Sequence, residues 1–288
     1  MSSAPRLEPL ELSPGYLLTV DVEEWYHTCL VPAYVRPGER PAGLAEELDW
    51  LLPRLLEMLD RAGRRATFFV LGEVAERHPK RVLDIAAAGH EIASHSFHHL
   101  RVGWQSSAEL RSNLEASKRR LEDLIGGEVI GFRAPEWSFR RHDHPLLPLV
   151  AEAGYRYDSS LAPVLGAGTL ANPRRPSRLL WPGSPGLELL ELPPLTFAGA
   201  LQLPAASWTG RLVSARRLER AAERGVERFG AAVFVVHPWE ISGRPTPGTL
   251  KGFARFVHET GRAGYPAKFE ALVAALPWQP IRDGLGSL

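Results

Sequence analysis

Short apolar, β-rich runs alternate along this chain with longer stretches of helical spacing, and no other feature of the sequence limits the fold as much. "YLLTVDV" (16–22), "ATFFVLG" (66–72), "EVIGFRAP" (128–135) and "AAVFVVHP" (231–238) read as strands. "AEELDWLLPRLLEMLDRAG" (45–63) reads as a helix with Pro53 as a kink or restart. "PKRVLDIAAAGHEIAS" (79–94) reads as a helix stopped at Gly89 and then a short strand. "SAELRSNLEASKRRLEDLIG" (107–126) is a long amphipathic helix, "HPLLPLVAEAGYRYDSS" (144–160) a helix then a strand, and further helices fall around 214–229 and 249–262. Repeated β-then-α units predict a parallel sheet of the α/β class. Their number, in 288 residues, predicts one barrel rather than two separate domains. The expected division is an N-terminal extension over 1–15 and a single domain over 16–288, with a Pro/Gly-rich irregular segment at about 163–212.

Composition narrows the function. The formal net charge is +1, with 23% charged residues, so no polyanion-binding surface is expected and nucleic acid is a poor partner. The lone cysteine, Cys29, excludes an intrachain disulfide and Cys-rich zinc sites. "MSSAPRLEPLELSPGY" has neither a basic head with an apolar run nor an Arg-rich amphipathic pattern. No signal peptide or membrane span is expected, which predicts a cytoplasmic protein.

In a barrel of this kind the chemistry sits where strands end. Asp21 and Glu23 of "TVDVEEW" share one strand face by period-two alternation, and paired carboxylates either share a proton or a cation. "HEIASHSFHH" (90–99) crowds four of the ten histidines into ten residues. His95 and His99, four apart, would face one side of a single helical turn and suit one metal. A carboxylate with two histidines leaves open positions for water, as in a catalytic site. Arg133 of "GFRAPEWS" would hold Asp21 as an oriented carboxylate, Asp158 of "GYRYDSS" lies at another strand end, and His237 of "VFVVHPWE" sits at a strand mouth as a candidate acid. Trp25, Tyr26, Trp137 and Trp239 lie beside these motifs, either as core filler or as walls for sugar rings. His90, His98, His142 and His144 read as structural. A Cys29 nucleophile paired with His27 lacks an orienting third group.

The ordered set D-x-E, H-S-x-x-H, R-x-P, Y-D-S-S and V-V-H-P resembles the polysaccharide deacetylases, the NodB-homology group also called carbohydrate esterase family 4. "TVDVEEW" is most similar to the subgroup associated with exopolysaccharides. The resemblance covers roughly 16–160 and 231–270. It implies a distorted TIM-like (β/α)7 barrel and a divalent metal, most often Zn2+, held by Glu23, His95 and His99. It further implies Asp21 as base supported by Arg133, His237 as acid with Asp158 orienting it, and substrate contacts from Trp25, Tyr26, Pro135, Trp137 and Trp239. The substrate would be an N-acetylated oligo- or polysaccharide. Three rivals remain at this point: a metal-dependent amidohydrolase acting on a small cyclic or linear amide, a non-catalytic carbohydrate-binding barrel, and a metal-free glycosidase using Asp21 and Glu23. The last is disfavoured because same-face neighbours leave no room for a sugar between them.

Overall fold

In the computed structural model, which describes residues 4–13, 15–199, 202–248 and 250–286, the predicted alternation closes into a ring. The strands are β1 (Arg6–Pro9), β2 (Gly15–Val22), β3 (Thr67–Val70), β4 (Glu91–Ser94), β5 (Gly131–Phe132), β6 (Tyr157–Asp158), β7 (Ser177–Leu180), β8 (Glu188–Glu191), β9 (Ala231–Val236) and β10 (Trp278–Gln279). Among the described residues seven of them form a parallel series in the order β9-β2-β3-β4-β5-β6-β8, and β10 also pairs parallel with β2. Just past β8, Pro194 bridges Val233 and the Leu195 N–H donates to the Val233 carbonyl at 2.8 Å, which joins the last strand to the first. Distortion is concentrated in β5 and β6, which are two residues each. The result is a distorted (β/α)7 barrel.

Period two sorts the side chains. Along β2, Leu18, Val20 and Val22 pack outward against helical Leu48, Leu52 and Leu55 in the large core. Leu17 points the other way, with Phe69, Tyr157, Leu190 and Val233, into a separate inner cluster. Thr19 and Asp21 continue that inner row toward the strand's C-terminal end. At the opposite end the barrel is plugged by Glu91, which accepts from Thr67 Oγ1, Tyr157 Oη and the Arg282 backbone N–H at 2.6, 3.0 and 2.9 Å. Burial raises the Glu91 carboxyl above the usual carboxylate range, and those three bonds oppose the rise.

Several local expectations are revised. The helix Leu48–Arg61 runs unbroken through Pro53, whose exposed position puts the missing N–H on the solvent side. Its first turn is capped from a distance: Glu24 accepts from the backbone N–H groups of Glu47 and Leu48 at 2.8 and 2.9 Å. The stretch before residue 16 contributes β1, which pairs antiparallel with β7 at the sheet edge. The Pro/Gly-rich segment holds β7, β8 and the helix Ser207–Leu212. Short strands between prolines carry too few residues for a periodic signal, and β7 exists because β8 pairs with it.

The helix Ser107–Ile125 is where sequence and structure agree most closely. Ser106 and Glu109 form a reciprocal capping box, and Gly126 ends the helix at φ 64° in the left-handed region. Its Leu114 side chain is fully buried in the outer core. Leu114→Ala is expected to lower unfolding stability by about 2–5 kcal/mol, read as a reduced urea midpoint with the slope unchanged.

Candidate active site

Strand ends carry the site. Asp21 is the penultimate residue of β2, and Glu23 follows the strand directly. Both are buried, at 4% and 6% exposure. Arg133, the residue after β5, is completely buried and reaches across the barrel. Its Nη1 donates to Asp21 Oδ1 at 2.6 Å and to Thr19 Oγ1 at 2.9 Å, while Nε and Nη2 are held by the Ser159 carbonyl and hydroxyl. The guanidinium is thus fixed at both ends and fixes Asp21 in turn.

His95 and His99 converge on Glu23, but not by the route the spacing predicts. Residues 95–99 form no helical turn, and the chain reverses through Ser96 at φ 73°. The imidazoles end 5.2 Å apart, ring to ring. His95 Nδ1 lies 2.8 Å from the Arg133 carbonyl and can donate to it, leaving Nε2 as the atom that faces Glu23. Glu23 Oε2 is 2.7 Å from His99 Nε2 and 3.9 Å from His95 Nε2. It is buried and, among the described residues, accepts no properly aligned hydrogen bond. One oxygen and two imidazole nitrogens that lie within 4.8 Å of one another are a donor set that fits a divalent cation.

The electrostatics are those of a carboxylate inside a ring of imidazoles. Burial would raise Glu23, yet the neighbouring His99, His237 and His95 overcome it and hold Glu23 well below the carboxylate range. Burial pushes His95 down to about 4, so its imidazole is neutral near pH 7. Burial also opposes charge on His99, but Glu23 outweighs it and raises His99 well above 6.5. A cation entering this site must therefore displace a proton from His99, which weakens its binding as pH falls.

His237 follows β9 and faces the same group, with Nε2 3.6 Å from Glu23 Oε1 and 3.9 Å from Asp21 Oδ2. Its Nδ1 lies 2.8 Å from Glu240 Oε2, and its backbone N–H donates to the same oxygen at 3.0 Å. Glu240 is fully buried and ion-paired with Arg211, also buried. Arg211 and His237 overcome the cost of burial and hold Glu240 at about 2. Desolvation would lower His237, but Glu23, Glu240 and Asp21 raise it to about 9. Trp239 lies between His237 and His258, with centroids 5.2 and 4.4 Å away, and donates Nε1–H to Glu23 Oε1 at 3.3 Å.

Other sequence candidates lie elsewhere. Asp158 does not touch His237; it accepts from Ser160 and faces Glu191 across the β6–β8 register. Both carboxyls are raised by burial, Asp158 to about 6, as expected of two acids that cannot both ionise together. Asp158 is turned to Ser160 and Glu191, and it is Glu240 that contacts His237 Nδ1. Trp25 and Tyr26 present no free face to a sugar. Trp25 is completely buried and donates to the Ala45 carbonyl, and Tyr26, 1% exposed, lies under Arg40. Pro135 is buried, and Trp137 on the same loop is partly exposed. Glu136 and Trp137 both sit at φ 52°, a costly pair of left-handed residues. Glu136 receives the Cys29 backbone N–H at 2.8 Å. Cys29 itself packs its Sγ 3.7 Å from His99 Nδ1.

Sequence reasoning missed Glu240 and Arg211. The signal for Glu240 was present in "HPWE", since a polar N-cap, a proline and an acid three residues on form a capping box around His237. Arg211 carries no such signal.

The polysaccharide deacetylase family profile matches residues 49–157, and a domain of unknown function, DUF3473, matches 159–285. A peptidoglycan deacetylase-like protein of Gibberella zeae is 33% identical over 111 residues, which are 38% of this chain and 32% of the relative. The chain thus spans about a third of that relative's length. A putative polysaccharide deacetylase from Mycobacterium smegmatis superposes with a TM-score of 0.58 at 24% identity, over 97% of this chain and 90% of that one. A family 4 pseudoenzyme from Bacillus anthracis, BA3943, superposes at 0.53 and 15% identity, over 96% and 69%. These two are likenesses of fold. Residues 49–157 are thus similar to the polysaccharide deacetylases, and residues 159–285 to the DUF3473 group.

Proposed function

We propose that this protein is a metal-dependent hydrolase that removes N-acetyl groups from an N-acetylated sugar polymer. The observation that carries the reading is the convergence of Glu23, His95 and His99 within 4.8 Å, with Asp21 and His237 on either side. A divalent cation held by those three residues, Zn2+ being the best match to one carboxylate and two imidazoles, would polarise an acetamide carbonyl and make a water acidic.

The chain's own groups supply the proton transfers. Asp21, pinned by Arg133 on Oδ1, keeps Oδ2 directed at the site as the base that takes a proton from the attacking water. His237, raised to about 9, is an imidazolium near pH 7 and holds a proton on Nε2. That proton is the one the departing amine requires. Glu240 fixes Nδ1 and Arg211 fixes Glu240, so the imidazolium cannot rotate away. Base and acid are therefore oriented by different neighbours, Arg133 for Asp21 and Glu240 for His237, the arrangement that acyl transfer from nitrogen needs.

Four outcomes follow. Purified protein should bind about one Zn2+ per chain, and Glu23→Ala or His95→Ala should lose it, as read by elemental analysis after dialysis. Chelation should abolish acetate release from N-acetylated oligosaccharides, with recovery on adding Zn2+; release of ammonia from a small amide instead would reject the deacetylase reading. His237→Ala should retain the metal yet lose about 10²–10⁴-fold in kcat, and retained turnover would remove His237 from the acid role. The fourth outcome concerns pH. In metal-stripped protein the folded pKa of His237 is raised, so its stabilisation is complete below the unfolded value of about 6.5. It is lost as pH rises through about 9. Glu240→Gln should move that upper limit downward, as followed by NMR titration of the His237 ring.

A further inference from the structure

The loop after β5 adopts a backbone that its residues do not favour. Glu136, Trp137 and Arg140 all lie in the left-handed region, at φ 52°, 52° and 63°. Non-glycine residues there are costly, and such a run persists only where the surroundings enforce it. Ties to two other loops do so. Ser138 Oγ accepts the Val102 backbone N–H at 3.0 Å. Glu136 Oε2 accepts from Arg101 Nε at 2.8 Å, and Arg101 Nη2 donates to the same oxygen. The other oxygen, Oε1, accepts the Cys29 backbone N–H at 2.8 Å. One carboxylate thus joins the loops that follow β2, β4 and β5, three strands whose ends carry the site.

Both partners of Glu136 flank His99. Arg101 lies two residues further along the same loop. The Cys29 sulfur lies 3.7 Å from His99 Nδ1, and its S–H donates to the His99 carbonyl at 3.4 Å. The two histidines of the candidate cation site are therefore unequally held. His95 Nδ1 meets the Arg133 carbonyl at 2.8 Å, a firm backbone acceptor. His99 Nδ1 meets a thiol sulfur, a weak one, so its ring depends on how the loops around it are set. Such outer partners govern a metal site's affinity although they never touch the metal. The Arg101 and Glu136 side chains are 37% and 28% exposed, and a pair so exposed adds little stability, so its effect is on geometry. We propose that Glu136 is a positioning residue for His99: by clasping Cys29 and Arg101 it holds the His99 ring with Nε2 toward Glu23. The inference rests on the metal-dependent reading of the site and adds the device that sets one candidate ligand in place.

The test uses Glu136→Gly and Glu136→Gln in the full chain. Glycine removes the clasp and suits φ 52°, so the loop sheds strain at that position. Glutamine keeps the length and one acceptor but not the charge that draws Arg101. Zn2+ affinity is read by competition with a chelating dye, ligand geometry by the visible spectrum of Co2+-loaded protein, and folding by thermal melts of metal-free protein. Glu136→Gly should bind Zn2+ about 10–100-fold more weakly and alter the Co2+ spectrum while keeping its melting temperature. Glu136→Gln should fall between it and wild type. Wild-type affinity and spectrum in both variants overturn the proposal. A lowered melting temperature with wild-type affinity also overturns it, by making Glu136 purely structural. Should Glu136→Gly not fold, Glu136→Gln decides: weaker Zn2+ binding supports the clasp, and wild-type binding overturns it. Zn2+ binding that depends on Glu136, with no acetate release from N-acetylglucosamine oligomers, supports the clasp and overturns the deacetylase reading. Acetate release by wild type with an affinity indifferent to Glu136 overturns the clasp alone, and absence of Zn2+ binding by wild type overturns both.

Discussion

Glu23 is the residue on which the rest of the site depends. A carboxylate buried at 6% exposure is unfavourable by itself, and the chain answers with His99, His237 and His95 at 2.7, 3.6 and 3.9 Å and an indole N–H from Trp239. Those four groups arrive from the loop that follows β4 and the segment that follows β9. Without the negative charge at the centre, three imidazoles at such distances would repel once protonated. The carboxylate sets which of them carries a proton, and the same polarity makes the pocket receptive to a divalent cation.

Around that centre the polar groups are arranged in two chains of restraint. One runs from Ser159 through Arg133 to Asp21, and the other from Val257 and Thr260 through Arg211 and Glu240 to His237. In each, a buried guanidinium meets a carboxylate on one side and is held on the other, Arg133 by the carbonyl and hydroxyl of Ser159 and Arg211 by two backbone carbonyls. Buried ion pairs contribute little net stability, because desolvation offsets the attraction, but they specify geometry when every donor is used. Trp239, lying between two histidines and near Arg211, completes this shell.

Much of this was legible in the sequence because barrel strands announce themselves and reactive residues stand at their ends. Asp21, Arg133 and His237 each follow an apolar run, so strand position alone predicted their convergence. His95 and His99 were paired correctly on a wrong geometric premise: a reversal at Ser96, not a helical turn, brings them together. What could not be read was long-range. Nothing local distinguishes Arg211 from the other arginines, and Trp25 beside a reactive acid carries no sign that Ala45 will take its N–H and bury it. Asp158 was placed at a strand end correctly, but partner choice depends on which strands are neighbours, and Glu191 of β8 was hidden in a stretch with no periodicity.

The closure between Pro194 and Val233 changes how the two family matches should be understood. Similarity divides the chain near residue 158, yet β8 and β9, both beyond that point, are the strands that complete the ring begun by β2 through β6. The earlier half brings Asp21, Glu23, His95, His99 and Arg133, and the later half brings His237 with Glu240 and Arg211. The sequence boundary is thus no seam in space. The DUF3473-matched segment is the arc that closes the ring, so the circle of strands is complete only when both arcs are present.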